Sequence, residues 1–188
     1  MLQAIKFPLD TRNLGLKLDP RPYCSNSFEQ WDLHVHLDAN WGADTESRKS
    51  ITGFAVHCMG CLVSWRSKQQ SVLALSSAES EYYALCEAGK EIKFVVQLLA
   101  NMNIPVRLPV VCQVDNMAAI FMAKNTSSTP KTHHIDIKHR WVSQLVEEGF
   151  LKILFVQSAD NPLDEHPKNV SPEVCDAHMP HCLATRES

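Results

Sequence analysis

The segment WDLHVHL at 31–37 alternates apolar and polar residues, with Trp31, Leu33, Val35 and Leu37 on one side. A period of two is the signature of a strand with one buried face. Two further strand candidates follow, SITGFAVHC at 50–58 and CLVSWRS at 61–67, separated only by Met59-Gly60. So short a separation admits a hairpin and little else, and the three segments read as an antiparallel meander. The pattern then changes period. Ala78, Tyr82, Leu85, Gly89, Ile92, Val96 and Leu99 recur at spacings of four and three, one apolar stripe on a helix over roughly 77–100. Asn103-Ile104-Pro105 ends it.

Shorter elements follow. LPVVCQV at 108–114 suits a buried strand, MAAIFMAKN at 117–125 a short helix, and HHIDIKHRWVSQLVEE at 133–148 a second helix stopped by Gly149. FLKILFV at 150–156 is another strand, QSADNP at 157–162 a loop, and LDEHPKNV at 163–170 the start of a last short helix. The order βββαβααβα is that of an α/β fold, a mixed sheet covered by helices. Residues 1–30 read as an uneven segment with a connector that does not fold alone, 31–170 as the folded domain, and 171–188 as a disordered tail. No run of eighteen apolar residues is present, so no membrane span is expected, and no membrane partner is assigned. The seven scattered cysteines suit reduced thiols in an intracellular protein. A net charge of −3 gives no global basic field, though a local basic surface suffices for nucleic acid.

The start of the long helix, SSAESEYYAL at 76–85, carries two acids. Ser76 to Glu79 fits the capping box Ser-x-x-Glu: Ser76 caps the Glu79 N–H, and the Glu79 carboxylate reaches back to the Ser76 N–H. At about 100° per residue, Glu81 falls roughly 50° from the centre of the apolar stripe and Glu79 about 110° away. Glu87 and Glu91 fall on the outer side. A carboxylate on the border of a buried face either rotates out to water or meets a cation or donor. Asp38 ends the first strand, Asp115 follows VVCQV, and Asp164 opens the last helix. Acids at strand ends are commonly caps and turn formers. Four of them at the ends of elements that an α/β sheet brings together also describe a binding crevice at the carboxyl ends of its strands. Clustered carboxylates need cations, and all-oxygen ligation suits Mg²⁺ or Mn²⁺.

These blocks resemble the ribonuclease H domain of copia-type LTR retrotransposon polyproteins. LDANWGADTESRKSITGFAVHCMGCLVSW at 37–65 is similar to the family's Asp-x-Asp-Trp, Arg-Lys-Ser and Ser-Trp blocks. SKQQSVLALSSAESEYYALCEAGKE at 67–91 is similar to its Ser-Ser-x-Glu-x-Glu-Tyr helix. VDNMAAIFMAKN, THHIDIKHRWV and FVQSADNPLDEHPKN follow in family order. The resemblance implies a ribonuclease H-like fold: a five-stranded mixed sheet, its first three strands antiparallel and the rest parallel, flanked by helices. It implies a tetrad of Asp38, Glu81, Asp115 and Asp164 holding two Mg²⁺ ions, with Mn²⁺ as a substitute and no small-molecule cofactor. The implied activity is endonucleolytic cleavage of the RNA strand of RNA–DNA hybrids during reverse transcription.

The implied partners are the hybrid and the reverse transcriptase portion of a parent polyprotein, with residues 1–30 as the tail of that portion. The implied location is the cytoplasm, in virus-like particles, or the nucleus. The reverse transcriptase's own Tyr-x-Asp-Asp motif is absent. The late Glu of an integrase's Asp-Asp-Glu set is not the pattern either, since Glu81 lies between Asp38 and Asp115.

The sequence departs from the family in places. Asn40 stands where the family has a second Asp. Leu163-Asp164-Glu165-His166-Pro167-Lys168 replaces Ala-Asp-x-x-Thr-Lys, and Pro167 is compatible only with a first helical turn. An inactive remnant that at most binds nucleic acid is therefore the rival expectation. For the substrate path the candidates are Trp41, which adjoins Asp38, Arg48 and Lys49 in the loop after the first strand, and Lys131, His134 and Lys138 in a basic cluster. Such a cluster is either a solvated helix face or a phosphate contact. Cys58 and Cys61 have CxxC spacing without a second pair and read as flanks of a strand turn. His34 and His36 read as exposed polar positions on one strand face.

Overall fold

The structure is a computed structural model that describes residues 14–16, 18–20, 29–124, 133–161 and 183–185. At 133–139, 159 and most of the two terminal strands it describes the backbone alone.

A five-stranded sheet is built from β2 (Leu33–Asn40), β3 (Ile51–Cys58), β4 (Cys61–Gln69), β5 (Val110–Val114) and β6 (Leu151–Phe155). Its order is β4-β3-β2-β5-β6. β2, β3 and β4 pair antiparallel, while β5 lies parallel to β2, and β6 parallel to β5. The strand number and directions are those expected: the first three strands antiparallel, the last two parallel. The β3–β4 hairpin turns on Met59 and Gly60, with φ of 51° and 79°. Two successive left-handed residues match the twist of the flanking strands, which is why a two-residue loop suffices.

Trp31 stands outside β2 and forms an isolated parallel bridge to Val106. The strand begins two residues later than the alternation suggests: Trp31 bonds instead to the segment before β5, its N–H donating to the Pro105 carbonyl at 2.8 Å and its carbonyl accepting from the Arg107 N–H at 2.9 Å. A separate two-stranded ribbon pairs β1 (Leu14–Leu16) antiparallel with β7 (Leu183–Thr185). It gives the segment expected as a disordered tail one regular element.

The long helix α1 (Ser77–Asn101) packs across β2 and β3, and α2 (Met117–Lys124) and α3 (His133–Glu147) pack beside it. It ends where Asn103 turns left-handed, φ 57°, a place that asparagine fills when glycine does not. Val35, Leu37, Phe54, Tyr82, Leu85 and Ile92 are core residues with at most 1 % exposure. At Gly89 the helix passes close under α3: a Cβ there would meet Trp141 Cζ3 at 3.2 Å. The buried surface of α1 is wider than its sequence stripe, since Glu79, Tyr83, Ala84, Cys86 and Val95 are also buried. Glu87 and Glu91, expected on the outer side, are half-buried and meet Arg66 of β4 at 3.8 Å each. No described helix is long and apolar enough to cross a membrane.

His34 and His36 are not exposed polar positions. His34 is buried and His36 half-buried, and His57 of β3 stands directly across from His34. Cys58 and Cys61 are paired neighbours on either side of the hairpin turn, both buried free thiols. Burial pushes the Cys58 thiol up to about 11, with Cys61 and Asp32 adding to it.

Candidate metal centre

Parallel pairing of β2 with β5 sets their carboxyl ends side by side. Asp38 lies near the end of β2, and Asp115 is the first residue past β5. The first turns of α1 lie over β2, where the Ala39 N–H donates to Glu81 Oε1 at 2.7 Å. One carboxylate oxygen from each of Asp38, Glu81 and Asp115 thereby comes within 4.8 Å of the other two. Asp38 and Glu81 are each only 3 % exposed, and Asp115 is half-buried. The Ser158 hydroxyl donates to Asp115 Oδ2 at 2.9 Å.

Such a cluster is expensive without a cation. Burial, and next the charge of Asp38, raise the Glu81 carboxyl from 4.5 to about 9, with Asp115 adding to the rise and the Ala39 N–H opposing it. Glu81 Oε2 is buried and faces no hydrogen-bond donor among the described residues. Three converging carboxylates with an unanswered buried oxygen fit a hard divalent cation, and the all-oxygen donor set fits Mg²⁺ or Mn²⁺.

The two neighbouring acids of α1 have separate environments. Ser76 Oγ accepts from the Glu79 N–H at 3.1 Å, as a capping box requires. The return bond differs from expectation. Glu79 Oε2 accepts from the Leu75 N–H at 2.7 Å, one residue before the cap, and Glu79 Oε1 accepts from the Tyr83 hydroxyl at 3.0 Å. Glu79 is itself buried, so burial alone does not set Glu81 apart. What does is the partner set: two donors for Glu79, and two carboxylates with a single N–H for Glu81.

The other candidates are placed unevenly. Trp41 is half exposed in the loop between β2 and β3, and its Nε1 donates to the Ala74 carbonyl at 3.0 Å. In the same loop Arg48 is exposed with φ 57°, and Lys49 is half-buried. The loop is shaped by Asp44, whose Oδ1 accepts from the N–H groups of Glu46 and Ser47 at 3.0 and 2.7 Å. The backbone of α3 carries His134 and Lys138, but their side chains, together with Lys131, Asp164, His166 and Pro167, lie outside the described residues.

Sequence reasoning did not single out Asn161. Its side-chain amide donates to the Leu37 carbonyl at 2.9 Å, tying the chain beyond β6 to the residue before Asp38. Asn161 is 3 % exposed. The only signal was Asn161-Pro162, a dipeptide that marks a turn and nothing more.

No family model matches the chain. The retrovirus-related Pol polyprotein from transposon TNT 1-94 of Nicotiana tabacum is 35% identical over 132 residues, 70% of this chain and 10% of that protein. The corresponding polyprotein from transposon RE2 of Arabidopsis thaliana is 29% identical over 139 residues, 74% of this chain and 10% of that protein. The chain thus spans about a tenth of the length of these relatives. Among solved structures, LC11-RNase H1 in complex with an RNA/DNA hybrid overlaps with a TM-score of 0.48 at 12% identity, over 69% of this chain and 88% of that one. The fold itself is carried by the order and directions of the five strands. By descent, the chain is a homologue of a segment of copia-type retrotransposon Pol polyproteins, and it has the ribonuclease H-like fold.

Proposed function

We propose that this chain is a divalent-metal-dependent ribonuclease H that cuts the RNA strand of RNA–DNA hybrids during reverse transcription of a retroelement. The observation that carries the reading is the convergence of Asp38, Glu81 and Asp115 at the carboxyl ends of β2 and β5. These three would hold two Mg²⁺ ions, which when bound supply an activated water and charge stabilisation of the leaving 3′ oxygen.

The chain's own residues prepare for that task. The Ala39 N–H fixes the Glu81 carboxylate, and Ser158 fixes that of Asp115, so both are oriented before a substrate arrives. Asp164 is proposed as the fourth ligand. It is three residues beyond Asn161, and a chain of that length reaches at most about 11 Å from its tether beside Asp38. Cleavage leaves a 5′ phosphate and a 3′ hydroxyl. Recognition by groove shape and 2′-hydroxyls calls for little sequence specificity. Trp41 is proposed to stack on the substrate, and Arg48, Lys49, Lys131, His134 and Lys138 to contact its phosphates. The reading carries with it a parent polyprotein containing a reverse transcriptase, and an intracellular site in virus-like particles or the nucleus.

The test is cleavage of a labelled hybrid in Mg²⁺ by the chain and by its Asp115→Asn variant. Cutting of the RNA strand that falls about 100-fold or more in the variant is expected, at least the cost of disturbing even a supporting shell. A folded chain that binds the hybrid and never cuts it supports the inactive remnant instead.

A further inference from the structure

The sheet carries a second cluster of ligating groups, separate from the acids. Alternation along β2 puts His34 and His36 on one face, away from Val35 and Leu37 in the core. Antiparallel register then sets His57 of β3 directly across from His34. The His34 and His57 rings stack at 4.8 Å between centroids with planes 5° apart. His36 stands edge-on to both, at 5.5 and 5.6 Å. One ring nitrogen from each of the three lies within 4.8 Å of the other two.

Nδ1 of His36 and Nδ1 of His57 are buried and meet no hydrogen-bond partner among the described residues. Gln113, registered beside His36 on β5, likewise has a buried Oε1 with no such partner. A neutral imidazole has one donor and one acceptor nitrogen, and buried nitrogens without partners are uncommon in folded proteins. Ring packing accounts for the stacking but not for these atoms. A metal ion accounts for these atoms, because it binds neutral imidazole and gathers ring nitrogens at one point, with the His34 and His57 rings tilting out of parallel to meet it.

We propose that His34, His36 and His57 form a nitrogen-ligated site for a divalent transition metal, Zn²⁺ being the best fit, that cross-links β2 to β3. Three imidazoles suit Zn²⁺ and exclude Mg²⁺, so the site is chemically distinct from the acidic one. Tetrahedral ligation at about 2.0–2.1 Å brings ligand nitrogens to roughly 3.4 Å from one another, so the nitrogens close by little more than about 1 Å while the His34 and His57 rings rotate from their parallel stack. The site would pin the strand that carries Asp38, independently of whether the chain cuts nucleic acid.

The test uses Co²⁺ as a spectroscopic probe and Zn²⁺ as competitor on the full chain, both added to native protein and present during refolding. His57→Phe removes a ligand but keeps a ring stacked on His34, and His36→Leu provides a second variant. Asp115→Asn disables the acidic cluster as a control. The expected result is one tightly bound Co²⁺ per chain with the visible d–d bands of nitrogen ligation, which Zn²⁺ displaces, apart from any weaker Co²⁺ on the acidic cluster. The bands persist in Asp115→Asn, while affinity falls at least tenfold in both histidine variants, whose metal-free melting curves show that they fold. Zn²⁺ also raises the Tm of the parent chain and leaves that of the variants unmoved. Absence of bands under both loading conditions overturns the proposal. So does binding unaffected by His57→Phe and His36→Leu, or an intense near-ultraviolet thiolate-to-cobalt band, which puts the ion on cysteines.

Discussion

Glu81→Gln tests the electrostatics of the acidic cluster in a way that activity alone does not. The carboxyl is 3 % exposed and raised from 4.5 to about 9, by burial first and Asp38 second. Between those two values the folded chain holds a proton that the unfolded chain has released. Stability therefore falls as pH rises from about 4.5 towards 9, and below 4.5 the residue imposes no such penalty. At pH 7 the gap from the unfolded value is 2.5 units, which at about 1.4 kcal/mol each is of order 3 kcal/mol. Glutamine has nearly the same shape, offers an oxygen to the Ala39 N–H and carries no charge. In EDTA the variant should be more stable than the parent at pH 7, by up to a few kcal/mol, and indistinguishable at pH 4. Mg²⁺ should reverse the order at pH 7, because it stabilises only the chain with the full carboxylate set. Urea unfolding at the two pH values, with EDTA and with Mg²⁺, reads all of this. A variant less stable than the parent in EDTA at pH 7, or a difference that ignores pH, refutes the reasoning.

Glu79→Gln should behave in the opposite manner: it weakens the bonds to the Leu75 N–H and the Tyr83 hydroxyl, costs about 1–2 kcal/mol in urea unfolding and leaves hybrid cleavage nearly intact. Asn161→Ala removes the tie to the Leu37 carbonyl, and should cost about 1–3 kcal/mol while lowering cleavage more than Glu79→Gln does, since it frees the segment leading to Asp164. Leu85→Ala, in a core position with no exposed surface, should cost about 2–5 kcal/mol by thermal melting and leave the Mg²⁺-induced rise in Tm in place if the melt is two-state.

Much of the fold was legible because it depends on periodicity. Alternation in β2 and β3 and the stripe of α1 are local patterns, and a two-residue turn at Met59-Gly60 leaves one way to connect its strands. The covering of α1 was not legible. Its sequence stripe describes one packed face, but the helix lies against the sheet, α2 and α3 together, so Glu79, Glu87 and Glu91 leave full exposure for reasons held in other elements.

The same division holds for the sites. The sequence by itself determined that acids stand at the ends of β2 and β5 and on the first turns of α1, because strand ends and helix starts are set by neighbours in the chain. It marked Glu81 as different from Glu79 by angle on the helix. Only the tertiary structure decided that Asp38, Glu81 and Asp115 converge to within 4.8 Å, since parallel pairing of β2 with β5 joins residues 77 positions apart. It also decided that Asn161 ties to Leu37 across 124 positions. The histidines make the point most sharply. The alternation of β2 put His34 and His36 on the face opposite the core, which sequence logic reads as solvent. Pairing with β3 brought His57 onto them, and burial made three separate polar residues into one cluster. Periodicity assigns a side chain to a face, but what lies on that face is settled by residues far along the chain.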